Sequence, residues 1–395
     1  MPSTDVLVRG AGAVGLATAL ALSRQGLSVA LLGTLAEPTT PDVRAYALNA
    51  ASVQLLQTLK VWDALPADAR TAVHDMHIEG DAPGAVLDFS AWSQSLGELA
   101  FIVDAAELER ALRAAVGFAP HVQVVSAEVP ATLQVLAEGK DSATRARLGV
   151  QMPRRAYGQR GVAARFVSNQ AHAGLARQWF RSPDILALLP LDRPLFEGAE
   201  RPERPERPTG PVGGDGRGLG LGLGHGLGLV WSVPDARADI LMALSDADFT
   251  AALMDATAGA AGTLTLASPR AQWPLAQAHA EALHGPGWVL VGDAAHLVHP
   301  LAGQGLNLGL GDVLALAATL AAREPWRSLA DPKLLARYAR ERHAPVRAMV
   351  QVTDALLHLF ASPAPLAREF RNRGLTLVNR LSPLKRLLTQ AALGR

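Results

Sequence analysis

The chain has 395 residues, is 49% hydrophobic and only 18% charged, so it can bury a substantial core and is not disordered overall. It holds no cysteine, which excludes disulfides and thiolate metal sites; no metal is expected, and the composition fits a cytoplasmic protein. The net charge of +1 is uneven: residues 333–395 carry twelve Lys/Arg against three Asp/Glu, a net of +9, leaving −8 elsewhere. Such a basic end is either a solvated helix face or a surface for an anionic or acidic partner.

"MPSTDVLVRGAGAVG" enters a strand directly, without a basic segment or apolar signal region, so no targeting peptide is expected. No run of about 20 apolar residues is free of charges or turn signals, so no transmembrane helix is expected. "DVLVRG" (5–10) predicts a strand. Residues 12–25, with Val14, Leu16, Leu20 and Leu22 among alanines, predict a buried helix, and "LSVALL" (27–32) a second strand. This is a βαβ start with a parallel sheet. A helix follows from about Asn49, another over 106–116, and short strands over 122–125 and 132–139.

From about 156 the pattern changes. "GVAARFVSN" (161–169), "ILALLPL" (185–191), "LVWSVP" (229–234) and "ILMALS" (240–245) predict short strands separated by turns, hence a second domain with an antiparallel sheet. Residues 198–228, "RPERPERP" then "GLGLGLGHGLGL", are a low-complexity loop running into the "LVWSVP" strand. "GWVLVGDAAH" (287–296) is a buried strand ending in Gly-Asp, followed by a glycine-rich turn and a helix over 306–322. Residues 332–395 read as helical, with Pro345 and "SPAP" (362–365) expected to kink or break them.

Two motifs carry chemistry. Gly10-Ala11-Gly12-Ala13-Val14-Gly15 lies after a strand and before a helix, where glycines let the backbone approach a pyrophosphate and the helix directs free N–H groups at it. That context predicts dinucleotide binding. The second strand of such units ends on an acid that holds a ribose; here the place is taken by Gly33. The other motif is "GDAAHLVHPLAGQGLNLG" (292–309). Asp293 stands at the carboxyl end of a strand and can accept hydrogen bonds from sugar or ribityl hydroxyls. His296 and His299 are candidate acid–base groups or structural histidines; spacing alone does not separate the two.

In this order and about 280 residues apart, these motifs resemble those of the FAD-dependent aromatic hydroxylases of the para-hydroxybenzoate hydroxylase fold, closest to the ubiquinone-biosynthesis hydroxylases. "PLAGQGLNLGLGDV" matches that subfamily's signature, and "DVRAYALN", "ARQWFRSPDILALLPL", "LVWSVP" and the ending also follow its pattern. The resemblance implies an α/β fold. A Rossmann-like FAD-binding domain with a parallel sheet (1–72, 98–155 and 276–330) would be interrupted by a mainly antiparallel substrate domain (73–97 and 156–275). C-terminal helices would occupy 331–395.

It implies FAD as cofactor and NAD(P)H as transient reductant, with O2 passed to an aromatic ring, of a polyprenylated phenol, through a flavin hydroperoxide. Gly10, Gly12, Ala13, Val14 and Gly15 would hold the pyrophosphate. Arg44 would lie near the FAD phosphates and the incoming nicotinamide, and Asp293 at the ribityl chain. Pro300, Gly303, Gln304, Gly305, Leu306 and Asn307 would line the isoalloxazine ring, with His299 nearby. A helix N-terminus at that turn would favour the anionic reduced flavin. No general base is assigned, because the cofactor carries the chemistry.

Trp179, Phe180, Leu188 and Leu189 would line an apolar substrate cavity or else form plain sheet core. The partners expected are a ubiquinone-biosynthesis complex or the inner membrane surface, reached through the basic C-terminal helices, and no nucleic acid. Three features depart from the family: Gly33, Glu138 in "AEGKDSATR" in place of Asp, and a short segment from Val122 to Glu138. They leave open a non-catalytic scaffold of the same fold, and a flavoenzyme for a small soluble phenol is a further alternative. They also suggest weakened FAD binding that Gly33→Glu would tighten.

Overall fold

The computed structural model describes residues 4–36, 39–40, 42–81, 84–193, 224–299 and 304–361. The low-complexity stretch up to 223, Pro300, Gly303 and residues 362–395 lie outside them.

The first strand, Thr4–Arg9, is the centre of a six-stranded sheet. It pairs in parallel with Val29–Leu32 (Val6 opposite Val29) and with Ala131–Leu136 (Val6 opposite Leu133). Val122–Val125 extends one edge; Trp288–Leu290 and then His284–Gly285 extend the other. Val6, Leu7 and Val8 are all fully buried, as a strand covered on both faces requires. The helix Ala13–Ser23 packs against helices Ala105–Gly117 and Gln304–Ala321, its alanines letting almost every residue be buried. Gln304–Ala321 is long and apolar enough to cross a membrane, yet Leu310, Val313, Leu316 and Leu320 are buried in this core.

The second sheet has nine strands. Its long member, Arg154–Ser168, pairs antiparallel with Gly226–Pro234, Ala271–His279 and Leu264–Leu266. Asp184–Pro190 and Leu175–Arg181 follow, then Asp75–Glu79 and Val86–Ser90. Residues 276–279 and His296–Leu297, expected with the parallel sheet, hydrogen-bond into this one. A three-stranded sheet of Ala45–Leu48, Ala100–Asp104 and Arg70–Val73 completes the strands described.

One expectation fails on local physics, and another is narrowed. "ILMALS" is not a strand: residues 240–243 finish the helix Asp235–Ala243, which opens after Pro234 with Asp235 in its first turn. Ala238 and Leu241 are buried three apart, a helical spacing that a four-residue apolar run cannot distinguish from a strand. Of the kink or break expected at Pro345, the break does not occur: the helix runs through it from Pro332 to Ala361. Pro345 is exposed, so the carbonyl it leaves unpaired one turn back can be hydrated.

Candidate active site

The three glycines of the first motif do different work. Gly10 has φ +108°, and a Cβ there would strike the Ala137 carbonyl. A Cβ on Gly15 would strike the Gly10 carbonyl. Both therefore close the turn against the sheet. Gly12 meets nothing within 4 Å on its Cβ side, and it is the N-cap of the helix Ala13–Ser23 with no side-chain hydrogen bond and no acid in the first turn. The helix thus presents unpaired N–H groups and its positive end to an open cleft, a cradle for a pyrophosphate.

That cleft is one end of a cavity of about 530 Å³. Gly12, Ala13, Val14, Arg44, Asp293, Gln304, Gly305 and Leu306 all border it. The two motifs touch directly. The Val14 side chain fills the space a Cβ would take on Gly309, which would sit 2.6 Å from Val14 Cγ2, and it flanks Gly292, whose φ is +60°. Gly292 N donates to the Asp312 carboxylate at 2.8 Å. The other contacts of Asp312 are His296 Nε2 at 2.7 Å and Arg342 Nε at 2.6 Å. Burial opposes the charge on Asp312, but His296 and Arg342 outweigh it and hold its pKa below the usual range. This buried cluster fixes the turn that presents Asp293 to the cavity. Asp293 is exposed to the cleft, and the walls of the cleft still desolvate its carboxylate, which raises its pKa against the pull of His296 and Arg44.

Arg44 is gripped by Asp42, with Nε 2.9 Å from Oδ1 and an Nη 2.7 Å from Oδ2, which holds the guanidinium firmly charged. Its guanidinium carbon lies 5.6 Å from the Tyr46 ring centroid. Behind it stands Arg165, a fully buried residue of the nine-stranded sheet. Arg165 donates to the carbonyls of Asp42, Val43 and Arg44 at 3.1, 3.0 and 3.2 Å and to Asp104 Oδ2 at 2.6 Å. Asp104 also caps the helix Ala105–Gly117 through Glu107 N. One guanidinium thus ties the nine-stranded sheet to the segment bearing Arg44.

The chain matches the FAD binding domain family over residues 3–126 and 230–353. The chain belongs to that family. It is 32% identical to the 3-demethoxyubiquinol 3-hydroxylase of Escherichia coli, across 99% of this chain and 98% of that one. It is 29% identical to the ubiquinone hydroxylase UbiL of Rhodospirillum rubrum, across 99% and 89%. In fold it is similar to the Pseudomonas aeruginosa protein PqsL in complex with 2-aminobenzoylacetate, with a TM-score of 0.74, 20% identity, and coverage of 95% and 99%. It is likewise similar to the p-nitrophenol 4-monooxygenase PnpA of Pseudomonas putida, with a TM-score of 0.72, 17% identity, and coverage of 100% and 99%. It is an FAD-dependent monooxygenase.

In this FAD-binding chain the 304–307 turn divides by function. Gln304, Gly305 and Leu306 border the cavity, and a Cβ on Gly305 would meet nothing within 4 Å. Asn307 does not border it. Its Nδ2 donates to Ala47 O at 2.7 Å, and its Oδ1 accepts from Asn49 N and Ser52 Oγ at 3.0 and 2.8 Å. Asn307 therefore staples the helix Gln304–Ala321 to the start of the helix Ala50–Thr58. His299 is fully buried, lies edge-on to Tyr157 at 5.2 Å, and has no hydrogen-bond partner on either ring nitrogen among the described residues. Burial lowers its pKa to about 4, so it is neutral near pH 7 and outside the cavity lining.

Of the four residues expected along the substrate cavity, only Leu189 borders it. Trp179 and Leu188 sit in the core behind the sheet with Phe166, Trp231 and Phe249. Phe180 is buried on the cavity face but beyond the cavity. The physical reason is strand parity: Ile185, Ala187 and Leu189 face the cavity while Leu186 and Leu188 face the core. The sequence reading missed Tyr46, Gln178 and Ser232, which do border it. Only the polar breaks in "LARQWFR" and "LVWSVP" signalled the last two.

The departures at Glu138 and Gly33 have local explanations. Glu138 accepts from Ser142 Oγ at 2.5 Å, Thr144 N at 3.1 Å and Thr144 Oγ1 at 2.7 Å, so it shapes its own turn. In the same turn Arg145 holds Ala294 O at 3.0 Å, beside Asp293. At Gly33, a Cβ would lie 2.7 Å from Ala11 Cβ.

Proposed function

We propose that this monooxygenase hydroxylates the aromatic ring of a polyprenylated phenol in ubiquinone biosynthesis, using FAD, O2 and NAD(P)H as transient reductant. The observation that carries this is the continuity of the cavity. It runs from the open helix N-terminus at Gly12 and the Asp293 carboxylate to an apolar far end of Val73, Met76, Phe89, Leu99 and Ile102. The full-length similarity to two proteins named as ubiquinone-pathway hydroxylases supports the choice of substrate.

In this reading the N–H groups after Gly12 bind the FAD pyrophosphate, and Arg44 adds charge there. Asp293 accepts from the ribityl hydroxyls. Gln304 to Leu306 flank the ring system. FAD, when bound, supplies the redox and oxygen-activating chemistry. The protein's share is to seat the phenol beside it, exclude water and keep Arg44 available to a nicotinamide phosphate. The FAD-binding segments are then 1–72, 98–155 and 276–330, and 73–97 with 156–275 form the substrate side. The excess of positive charge over residues 333–395 suits an anionic membrane or an acidic partner in the same pathway.

The test is direct. Purified protein should be yellow, with a flavin spectrum, and a prenylated phenol should stimulate NAD(P)H oxidation and gain one hydroxyl. A colourless protein that cannot be reconstituted with FAD would support a non-catalytic scaffold instead.

A further inference from the structure

The cavity face of the nine-stranded sheet can be read row by row from its register. Gln178 lies opposite Ala187, Ala187 opposite Val230, and Val230 opposite Ala163. Directly paired residues share a face, and Ala187, Val230 and Ala163 all border the cavity. In the next row Ile185 pairs with Ser232 and Ser232 with Gly161. On this face Ala163, Ala187, Val230, Ile185, Leu189 and Trp273 present mainly apolar surface, and Gln178 and Ser232 add an amide and a hydroxyl. Arg177 also borders the cavity, but it pairs with Leu188, so its side chain leaves on the core face.

Neither the Gln178 amide nor the Ser232 hydroxyl has a hydrogen-bond partner among the described residues, although most of their neighbours on the floor are apolar. Gln178 is half-buried at the cavity wall, so water can satisfy its amide while the site is open, and a ligand that displaces this water must replace its hydrogen bonds. Both groups are uncharged, and each can donate as well as accept.

Building on the function proposed above, we propose that Gln178, assisted by Ser232, is the specificity-determining residue that holds the substrate ring by an uncharged ring oxygen, a phenol hydroxyl or a quinone carbonyl. A site whose amide a bound ring strips of water discriminates against the same molecule without the ring oxygen, because the amide is then left unpaired. Ala187 and Ala163 in the same row leave room for a flat ring on the sheet, and the register puts no cation on this face to select a carboxylate.

The experiment compares two probes, a 4-alkylphenol and the alkylbenzene of the same chain length. Each is titrated into the FAD-loaded protein and read by the change in the oxidised-flavin absorption spectrum, which needs no turnover. The wild type should prefer the phenol by about tenfold or more. Gln178→Met, similar in length and apolar, should weaken the phenol about tenfold, leave the alkylbenzene unchanged and keep wild-type FAD affinity; Ser232→Ala should show a smaller loss confined to the phenol. If Gln178→Met alters both probes alike, or neither, the inference is overturned while the function stands. A wild-type protein that takes up no flavin overturns both.

Discussion

The methyl group of Ala11 occupies the space that any side chain on Gly33 would need, since a Cβ built on Gly33 falls 2.7 Å from Ala11 Cβ and 3.2 Å from Ala11 N. An acid at this point of the second strand is thus sterically opposed by the alanine of the glycine-rich turn. A carboxylate at position 33 would therefore press on the turn that presents Gly12. Gly33→Glu is expected to weaken FAD, not to tighten it, by about tenfold or more, the usual range for overpacking. Ala11→Gly combined with Gly33→Glu should recover binding to at least the wild-type level. Flavin fluorescence quenching on the apoprotein measures all three dissociation constants. A single variant that binds FAD more tightly than wild type would show that the turn yields without cost.

Arg165 supplies the second prediction. It is fully buried and paired to Asp104 at 2.6 Å, with the rest of its guanidinium on the carbonyls of the 42–44 segment. Removing one partner of a buried pair leaves the other charge uncompensated. Arg165→Met should destabilise the protein by about 3–5 kcal/mol. Asp104→Asn should cost a comparable amount, because its single oxygen can accept from Glu107 N or from Arg165 Nη1 but not from both. Urea unfolding at fixed FAD concentration compares them. Arg165→Met should also raise the KM for the nicotinamide more than it changes kcat, since the Arg44 segment loses its anchor; equal effects on both would argue against that link.

How far the sequence led depended on what kind of constraint each residue obeys. The parallel βαβ start was legible because a glycine turn between a strand and a helix has a local signature. Gly12 belongs to that turn, Asp293 was read from the strand end of the second motif, and Gln304–Leu306 were expected only from the resemblance; all five border one cavity. Strand parity was not legible: Trp179 and Leu188 look like cavity residues until the register shows which face each takes. Arg165 and Asp312 were invisible for a different reason. Their partners lie on separate elements, at Asp104 and at His296 and Arg342, and no local pattern brings those together.

Glu138 gives a third prediction, again against the simple substitution. Its carboxylate reaches Ser142 Oγ and both Thr144 N and Oγ1, a span that suits the longer side chain. Glu138→Asp restores the residue type usual in the family but pulls the oxygens back by one methylene. Each charge-assisted hydrogen bond lost costs about 1.5–3 kcal/mol, so this variant should lower the melting temperature and weaken FAD. Differential scanning fluorimetry with and without FAD checks it; an unchanged or raised melting temperature would show that the turn relaxes around the shorter acid.

The last prediction concerns pH. His299 is fully buried, and desolvation lowers its pKa from 6.5 to about 4. Between those values the unfolded chain binds the proton and the folded protein does not, so folding is penalised as the solution is acidified. The stability associated with a neutral His299 is thus complete above the unfolded pKa of 6.5 and is lost as pH falls toward the folded value near 4. Taking the pH from about 7 to about 5 should cost about 2 kcal/mol through this residue alone. His299→Leu should remove that slope while leaving the acid limb below about pH 4, to which Asp312 contributes because its folded pKa is depressed below 3.8. Urea midpoints for both proteins across this range separate the two groups. If the variant keeps the wild-type slope between pH 7 and 5, His299 is protonated in the folded protein, and the acid–base role set aside for it at neutral pH would have to be reconsidered.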